Sequence, residues 1–321
     1  MLIYNNILDY KKDIPLFLTL GSFDGVHRGH CALLTRMAEL AGEMNAATAV
    51  LTFTPHPRLV LGKDAGGLRL LTTDPEKSRR LEAAGLNRLF FLPFDRRVAD
   101  CGAEEFLHDW LVGRLGVVGM VVGHDHRFGS GRRGNWEMLK AYAEANPPFR
   151  VQQLEALMSG SDAIAVSSTR IRQALAEGRL DEANAMLGYP YALRGEVVPD
   201  RQVGRTLGYP TANVRIDSAF KQLPAAGVYA GYARLGGVCH PSMVYYGGRP
   251  AFSGAGYALE VHLLDFEGNL YGQYLEVSLL RYVRGDLPFA DSDALVRQIR
   301  MDEQSIRRFF AETSGGMPAG F

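Results

Sequence analysis

Residues Leu16–His30 read LFLTLGSFDGVHRGH, and this stretch indicates how the first half of the chain folds. Its apolar start, Leu16–Leu20, has the length of a buried strand, and the following stretch His30–Met44 repeats apolar residues at helical spacing. Between the two lie glycines that let a ligand approach the backbone, followed by the unpaired N–H groups of a helix N-terminus. The pattern therefore predicts a strand, a turn suited to binding phosphate, and a helix.

The same alternation of apolar runs and helical patterns continues to about residue 187. Strands alternating with helices imply right-handed βαβ units around a mostly parallel sheet, so ligand-binding residues are expected directly after strands. Asp74–Pro75 is expected to open one helix as cap and first-turn proline. The other predicted elements are strands at Ala47–Thr54, Arg88–Pro93, Val117–Val122 and Arg150–Leu154, and helices at Ala103–Leu115 and Trp136–Glu144.

From about Gly188 the chain changes to short runs rich in Val, Tyr and Leu, separated by turn residues. This pattern predicts an antiparallel barrel or sandwich, closed by one helix at about Asp291–Glu312. We therefore expect an α/β plus β protein, with a parallel-sheet domain over residues 1–187 and an antiparallel domain over residues 188–321. The predicted strands of the second domain are Ala192–Val198, Gly227–Arg234, Pro241–Tyr246, Tyr257–Asp265 and Tyr274–Val283.

Length, charge and cysteine content exclude several classes of protein. With 321 residues the chain has room for two domains at about 150 residues each. Its 35 basic and 35 acidic residues balance, which argues against nucleic acid or an anionic membrane as its main partner. Three scattered cysteines without a CxxC pair, and a start without a secretory pattern, indicate a cytoplasmic protein. The oligomeric state stays open.

Two pairs of polar residues are candidates for chemistry. His27 and His30, at the strand–helix junction, can donate hydrogen bonds to phosphate oxygens. By itself an HxxH pair is more often two surface histidines or half a metal site. Thr211 and Asn213 of the PTAN segment offer a hydroxyl and an amide two residues apart, which are oxygen ligands suited to Mg²⁺. By itself PTAN is a turn followed by a strand.

Taken with further segments, these motifs resemble the bacterial bifunctional riboflavin kinase/FAD synthetases, and GSFDGVHRGH resembles the HxGH signature of nucleotidyltransferases. The resemblance implies a Rossmann-like nucleotidyltransferase domain with a parallel sheet, then a β-barrel riboflavin kinase domain with a terminal helix. The other matching segments are Thr54–Pro57 (TPHP), Gly123–Gly129 (GHDHRFG), Ser167–Arg172 (SSTRIR), Gly204–Asn213 (GRTLGYPTAN), Gly227–Tyr229 (GVY), Leu259–His262 (LEVH) and Leu270–Gly272 (LYG).

For the first half the resemblance implies adenylyl transfer, in which FMN attacks the α-phosphorus of ATP to give FAD and pyrophosphate. His27 and His30 would stabilise the transition state at the α-phosphate, in a reaction that needs positioning and charge neutralisation. The SSTRIR segment alone could equally be a capped helix with basic surface residues. The residues implied to bind ATP are Gly21, Phe23, Asp24, Gly25, His56, Ser168, Thr169 and Arg172, and those implied to bind flavin are Asp125, Arg127 and Phe128.

For the second half the resemblance implies phosphorylation of riboflavin by ATP. Glu260 matches the base that takes the proton from the ribityl 5′-hydroxyl, although an outward-facing strand residue fits the same alternation. Thr211 and Asn213 would hold Mg²⁺. The residues implied to form a loop over the nucleotide phosphates are Gly204, Arg205 and Gly208.

Three parts of the sequence depart from the family pattern, the third being Arg284–Phe289 (RGDLPF), which follows it only loosely, and three alternatives stay open. His126 stands where the family commonly has an aromatic residue, and Val244–Phe252 (VYYGGRPAF) lacks the usual asparagine and threonine. One alternative keeps only the kinase and has a degenerate first half. Another is a flavin- or nucleotide-binding regulator without turnover. The third is a nicotinamide oxidoreductase, since Gly129–Gly134 fits G-x-G-x-x-G, although this loop does not directly follow its strand.

Overall fold

Short apolar segments separated by helices build a parallel sheet in the first part of the chain. The structure is a computed structural model that describes residues 1–62, 67–159, 164–199, 208–248 and 257–313. The strands within the first two ranges are β1 (Leu2–Tyr4), β2 (Leu16–Leu20), β3 (Ala47–Thr54), β4 (Arg88–Pro93), β5 (Val117–Gly123) and β6 (Arg150–Leu154). They pair in the order β1-β4-β3-β2-β5-β6, and each neighbouring pair is parallel. The predicted sheet is confirmed, with β1 as an added edge strand.

The helices of this part are α1 (Arg28–Glu43), α2 (Pro57–Val60), α3 (Asp74–Ala83), α4 (Arg96–Asp100), α5 (Ala103–Glu105), which continues as a π-helix over Phe106–Arg114, and α6 (Trp136–Ala145). The expected cap of α3 was wrong. Thr73, and not Asp74, accepts the N–H of Glu76, while the Glu76 carboxylate accepts the N–H of Thr73. This capping box satisfies N–H groups that lack partners inside the helix.

Apolar side chains cover both faces of the parallel sheet. Leu18 of β2 packs in a cluster with Leu111 of the π-helix, whereas Phe17 packs in a second cluster with Met37 of α1. The fit is close, because a Cβ on Gly119 would lie 2.3 Å from the Phe17 ring. The first part of the chain therefore has three layers, with helices on both sides of the sheet.

The order of the sheet creates one crevice where ligands are expected. After β2 the chain turns to β3 on one side, and after β4 it returns to place β5 on the other side of β2. The carboxyl ends of β2 and β5 therefore border the point where the winding changes direction. The loops over residues 21–27 and 124–134 start from these two ends.

The second part of the chain forms a closed antiparallel barrel. Of the two architectures predicted from the sequence, barrel and sandwich, the barrel is therefore correct. Its strands are β9 (Tyr191–Val198), β10 (Ala212–Ile216), β11 (Gly227–Leu235), β12 (Val238–Gly248), β13 (Tyr257–Leu263) and β14 (Tyr274–Gly285). In the described parts of residues 191–285 they close in the order β10-β13-β12-β11-β14-β9. A short hairpin, β7 (Met158–Ser159) with β8 (Ile164–Ala165), and helices α7 (Ser168–Ala176) and α8 (Leu180–Leu187) come before the barrel, and α9 (Ser292–Glu312) follows it.

The chain divides into two compact units, Met1–Ser167 and Ser168–Phe321. Helices α7 and α8 thus group with the barrel. The Ala225 N–H donates to the Leu175 carbonyl of α7 at 2.8 Å, and the Asn184 amide of α8 donates to the Leu279 carbonyl of β14 at 3.0 Å. The predicted domain boundary between residues 187 and 188 differs from this division. Whether residues 188–321 fold without α7 and α8 stays a prediction. Of the helices described, none has the length and apolar character needed to cross a membrane.

The last helix, α9, packs on the outer face of the barrel. Ile306 of α9 is fully buried in a cluster with Val228 and Met243. Beside this cluster, Nε and Nη2 of Arg284 in β14 donate hydrogen bonds to the Asp302 carboxylate in α9, at 2.8–3.1 Å. The Asp302 and Arg284 side chains are only 4% and 17% exposed. Water therefore screens this ion pair little.

Replacing Asp302 by alanine is expected to lower the unfolding free energy of the barrel unit by about 3 kcal/mol, because the buried Arg284 guanidinium loses its acidic partner. Denaturant unfolding of the full chain measures this change. The matched control is Asp265→Ala, which breaks an exposed ion pair with Arg307 of the same helix and should change stability little. Equal effects of the two substitutions would contradict the importance of burial.

Candidate active sites

The loop after β2 has an unusual backbone. Phe23 and Val26 have positive φ angles of 47° and 37°, and Gly25 between them has 84°. This left-handed region favours glycine, and a non-glycine residue held there costs about 1–3 kcal/mol. Such strain concentrates at ligand-binding sites, where the surrounding structure maintains it. The backbone of this loop is therefore consistent with a binding turn.

Asp24 ties this loop to the segment before α3. Its buried Oδ1 accepts the N–H groups of Leu71 at 2.8 Å and Thr72 at 3.1 Å. The Gly25 N–H donates to the Thr72 hydroxyl at 3.0 Å. Asp24 therefore holds the loop in shape, and contact between Asp24 and ATP stays a prediction, as it does for Gly21.

His27 and His30 form a stacked pair at the start of α1. His27 caps the helix, because its Nδ1 accepts the backbone N–H of His30 at 3.4 Å. An accepting Nδ1 carries no proton, so the neutral His27 ring has its proton on Nε2 and can donate from there. The two ring centroids lie 3.7 Å apart, and the Phe23 ring lies 4.7 Å from His30. A Cβ on Gly29 would come within 3.3 Å of the His27 ring, which explains the glycine in HxGH.

The environment of His30 keeps its imidazole neutral. Burial lowers the pKa of His30 well below its usual value, and the positive charges of Lys77 and of His27 in its protonated form lower it further. The unfolded chain takes up a proton at His30 below about pH 6.5, whereas the folded chain does so only at a lower pH. Because the unfolded chain then binds more protons than the folded chain, the free energy of unfolding decreases as the pH falls below about 6.5.

His56 lies at the same edge of the sheet. It follows β3, the neighbour of β2, and caps α2 by accepting the Arg58 N–H on its Nδ1 at 3.3 Å. The carboxyl ends of adjacent parallel strands meet at one edge, so the loop of His27 and the loop of His56 are neighbours. This placement agrees with the predicted contact between His56 and phosphate, which remains to be tested.

The loop after β5 contains the predicted flavin-binding residues. Phe128 is buried, and its backbone exchanges hydrogen bonds with Gly134 at 3.1 and 2.9 Å. A Cβ on Gly134 would lie 2.7 Å from the Phe128 ring, and one on Gly129 would lie 2.6 Å from Ala103. These two glycines therefore serve close packing within the protein, which accounts for them without a bound dinucleotide. The predicted flavin ligands Asp125 and Arg127 are exposed.

The SSTRIR segment begins α7 in the second unit. Ser168 is the first residue of the helix, and Arg172 donates from Nη2 to the Thr169 hydroxyl at 3.3 Å. Hydroxyls and a guanidinium at a helix N-terminus are suited to phosphate. A capped helix with basic surface residues has the same geometry, so the phosphate role of these three residues stays a prediction.

One row of side chains crosses the outer face of the barrel. Asn213 in β10 is the register partner of Glu260 in β13, and Glu260 is that of Tyr245 in β12. The row continues through Val228 in β11 to Arg284 in β14. Residues directly opposite each other on neighbouring strands share a face, with Cβ atoms about 5 Å apart. The structure thus brings the candidate metal ligand Asn213 beside the candidate base Glu260.

Alternation in β13 places Glu260 on the outside of the barrel. Leu259 and Val261 are buried, whereas Glu260 between them is partly exposed. The outward orientation weighed from the sequence is therefore correct, but it also brings Glu260 to the face that carries Asn213. Orientation alone does not remove Glu260 from the chemistry.

The predicted metal ligands offer hard oxygen donors. Thr211 is half-buried directly before β10 and lies two residues from Asn213. In the described part of the chain, no group of three or more His, Cys, Asp or Glu side chains could hold a metal. Thr211 and Asn213 fit Mg²⁺, which commonly takes few protein ligands and completes its shell with water and phosphate. Of the predicted phosphate loop, Gly208 is exposed with a φ of 84°, and Gly204 and Arg205 lie outside the described residues.

Tyr245 is a member of the row that the sequence analysis did not single out. Its hydroxyl donates to the Gly248 carbonyl at 3.0 Å. Burial raises the pKa of Tyr245, and the negative charges of Asp286 and Glu260 raise it further, so the hydroxyl remains a donor beside the candidate base. The one sequence feature that pointed to Tyr245 was its place in Val244–Phe252, the segment that departs from the family pattern.

Comparison with known proteins matches one family model to each half of the chain. A family model for FAD synthetase matches residues 10–170, and one for riboflavin kinase matches residues 187–310. A bifunctional riboflavin kinase/FMN adenylyltransferase of Listeria monocytogenes is 36% identical over 305 residues, covering 95% of each chain. The Escherichia coli protein of that name is 39% identical over 297 residues, covering 92% of this chain and 93% of its own.

A solved structure shows the same fold over almost the whole chain. It is described as a macrolide-efflux protein from Streptococcus pneumoniae, and it aligns with a TM-score of 0.86 at 30% identity, covering 95% of this chain and 98% of its own. The two family models and the curated relatives cover both halves in the same order. The chain belongs to the bifunctional riboflavin kinase/FMN adenylyltransferase family.

Proposed function

We propose that this protein makes both flavin cofactors: it phosphorylates riboflavin with ATP to give FMN, and it then adenylylates FMN with a second ATP to give FAD and pyrophosphate. The observation that carries the proposal is a candidate centre in each of the two matched halves. His27 and His30 stack at the switch point of the sheet, and Asn213 and Glu260 pair on the barrel. A binding protein without turnover would have no need for both sets.

In the adenylyl transfer, an FMN phosphate oxygen forms a bond to the α-phosphorus of ATP while the bond to the pyrophosphate oxygen breaks. His27 donates from Nε2 to the charge that develops on the α-phosphate, and its N-cap hydrogen bond holds that tautomer. His30, stacked on His27, is kept neutral and adds a second imidazole donor. Donors held in place before the reaction lower the barrier because they need no reorganisation.

In the kinase reaction, the ribityl 5′-hydroxyl oxygen of riboflavin attacks the γ-phosphorus of ATP, and ADP leaves. Glu260 takes the proton of that hydroxyl during the attack. Tyr245 and Asn213 flank Glu260 in the row and limit where its carboxylate can lie. Thr211 and Asn213 would hold Mg²⁺, which neutralises phosphate charge when bound. Asn213 and Glu260 lie on neighbouring strands and Thr211 directly precedes the strand of Asn213, so one substrate pose can reach all three.

Asn213→Ala is expected to raise the Mg²⁺ concentration needed for half-maximal FMN formation several-fold, because it removes one oxygen ligand. Titration of the kinase rate with Mg²⁺ at fixed ATP measures this. Asn269→Ala, in the loop between β13 and β14, is the matched control and should leave the titration unchanged. An unaltered Mg²⁺ requirement in Asn213→Ala would reduce PTAN to a structural turn.

The proposed function is tested most simply by assaying the two half-reactions separately. Purified full-length protein with ATP, Mg²⁺ and riboflavin should release ADP, and with ATP, Mg²⁺ and FMN it should release pyrophosphate. ADP release alone would favour a kinase with a degenerate first half. Flavin binding without release of either product would favour a regulatory protein.

The predicted domain boundary gives a further expectation. A fragment of residues 168–321 should unfold cooperatively and phosphorylate riboflavin but make no FAD, because it keeps α7 and α8 packed on the barrel. A fragment of residues 188–321 lacks both helices and should be less stable. If the shorter fragment is equally stable, the boundary between residues 187 and 188 is supported, and the two helices are dispensable for the barrel.

We place both reactions in the cytoplasm. Cys31, Cys101 and Cys239 are all free thiols, which supports a reducing compartment. The substrates are the small molecules riboflavin, FMN and ATP, and the balanced net charge argues against nucleic acid or a membrane surface as a partner.

A further inference from the structure

His126 occupies the centre of the loop that follows β5. The backbone N–H of His126 donates to the Gly123 carbonyl at 3.2 Å, and this hydrogen bond closes a turn directly after the strand. Its ring lies 5.8 Å from the Phe128 ring, with an angle of 26° between the ring planes. Because the Phe128 backbone is paired with Gly134, Phe128 supports the imidazole from a fixed position.

One nitrogen of this imidazole lacks a partner. Nε2 of His126 is buried and makes no hydrogen bond within the part of the chain that the structure describes. Burial lowers the pKa of His126 to about 4; Arg132 and Arg127 lower it further, and Asp125 opposes them. The ring is therefore neutral at pH 7, with one nitrogen as donor and the other as acceptor. A buried polar atom without a partner is unfavourable and rare in folded proteins.

The place of His126 in the sheet indicates what could satisfy this nitrogen. Its loop begins at the crevice between β2 and β5, and the loop of His27 and His30 begins on the other side. Ligands of open α/β sheets bind at such a crevice, so the substrates of the proposed adenylyl transfer are expected between the two loops. The residue as a whole is only half-buried, so part of it stays accessible from outside the protein.

We propose that His126 is a specificity-determining residue that hydrogen-bonds the pyrimidine edge of the flavin ring of FMN, a role that rests on the proposed adenylyltransferase function. That edge carries an N–H between two carbonyls, so it can pair with either nitrogen of a neutral imidazole. An aromatic hydrocarbon ring at this position can pack against a flavin but cannot read its edge. In this chain, a hydrogen bond from His126 would replace part of the flavin recognition that ring packing can provide in relatives with an aromatic residue at this position.

The test compares FMN with 3-methyl-FMN, in which the edge N–H is blocked, as substrates for FAD formation by the full-length protein. We expect His126→Phe to raise the KM for FMN about five- to tenfold, the effect of one lost neutral hydrogen bond, with little change in the KM for ATP. The parent protein should prefer FMN over 3-methyl-FMN, and His126→Phe should lose that preference. His126→Gln, whose amide reaches the position of Nε2, should retain most of it.

The same phenylalanine substitution at His124, which is exposed two residues earlier, is the control and should leave the preference intact. A parent-like KM for FMN and a parent-like preference in His126→Phe would overturn the proposal. If that variant fails to fold, loss of the preference in a folded His126→Gln would equally overturn it. Absence of FAD formation by the parent protein would instead refute the proposed function.

Discussion

Alanine in place of His30 is expected to slow FAD formation from FMN and ATP by about 10²–10³-fold, because a preorganised donor to the transition state is lost. His27→Ala should have an effect of the same size, because it removes the other proposed donor, and it also removes the N-cap of α1. Both variants should phosphorylate riboflavin at close to the parent rate, because Glu260 and Asn213 belong to the barrel. The two rates are measured separately by pyrophosphate and ADP release.

His108→Ala is the matched control for the histidine variants. His108 is an exposed residue of the π-helix, and its ring contacts Tyr142 away from the loop after β2. This control should retain both activities. Equal loss of both activities in a folded His30→Ala variant would show that the adenylyl-transfer site is wrongly assigned.

Glutamine in place of Glu260 is expected to lower the turnover of riboflavin by about 10²–10⁴-fold, because it removes the general base while keeping the size of the side chain. Riboflavin binding should change little, since the amide still occupies the place between Asn213 and Tyr245 in the row. Supplied FMN should still be converted to FAD. The measurement is FMN formation at saturating riboflavin, ATP and Mg²⁺.

Glu267→Gln controls for the loss of one carboxylate from the barrel unit. Glu267 is exposed in the loop after β13, and its replacement should not affect turnover. Near-parent turnover of the Glu260→Gln variant at saturation would remove Glu260 from the mechanism. The outward orientation of Glu260 would then reflect strand alternation alone.

Strands and helices with strong apolar periodicity could be predicted from the sequence. The segment Leu16–His30 leads from β2 into α1 as expected, and five of the six described barrel strands lie where runs of Val, Tyr and Leu predict them. The exception is β10, which was not among the predicted runs. The three-residue strand β1 could not be predicted, since it has too few residues for any alternation and pairs along one edge only. Thr73 was a missed cap, although Glu76 three residues later completes a recognisable capping box.

The residues of the candidate sites also fall into a group that could be predicted from the sequence and a group that could not. Residues within one motif, such as His27 and His30, are close in sequence, and a helix start brings them together. Neighbours that arise from strand register, such as Tyr245 beside Glu260, depend on pairings that no local pattern encodes. The closed barrel is required before these residues can be placed in one row.

The most direct test of two separate centres acting in series is a time course of riboflavin, FMN and FAD, resolved by chromatography, for the parent protein and the His30→Ala and Glu260→Gln variants. From riboflavin, ATP and Mg²⁺, the parent should form FMN first and FAD after it. His30→Ala should stop at FMN, and Glu260→Gln should leave riboflavin largely unconverted yet turn added FMN into FAD. A parent that forms no FAD, or variants that each lose both steps while folded, would contradict the account.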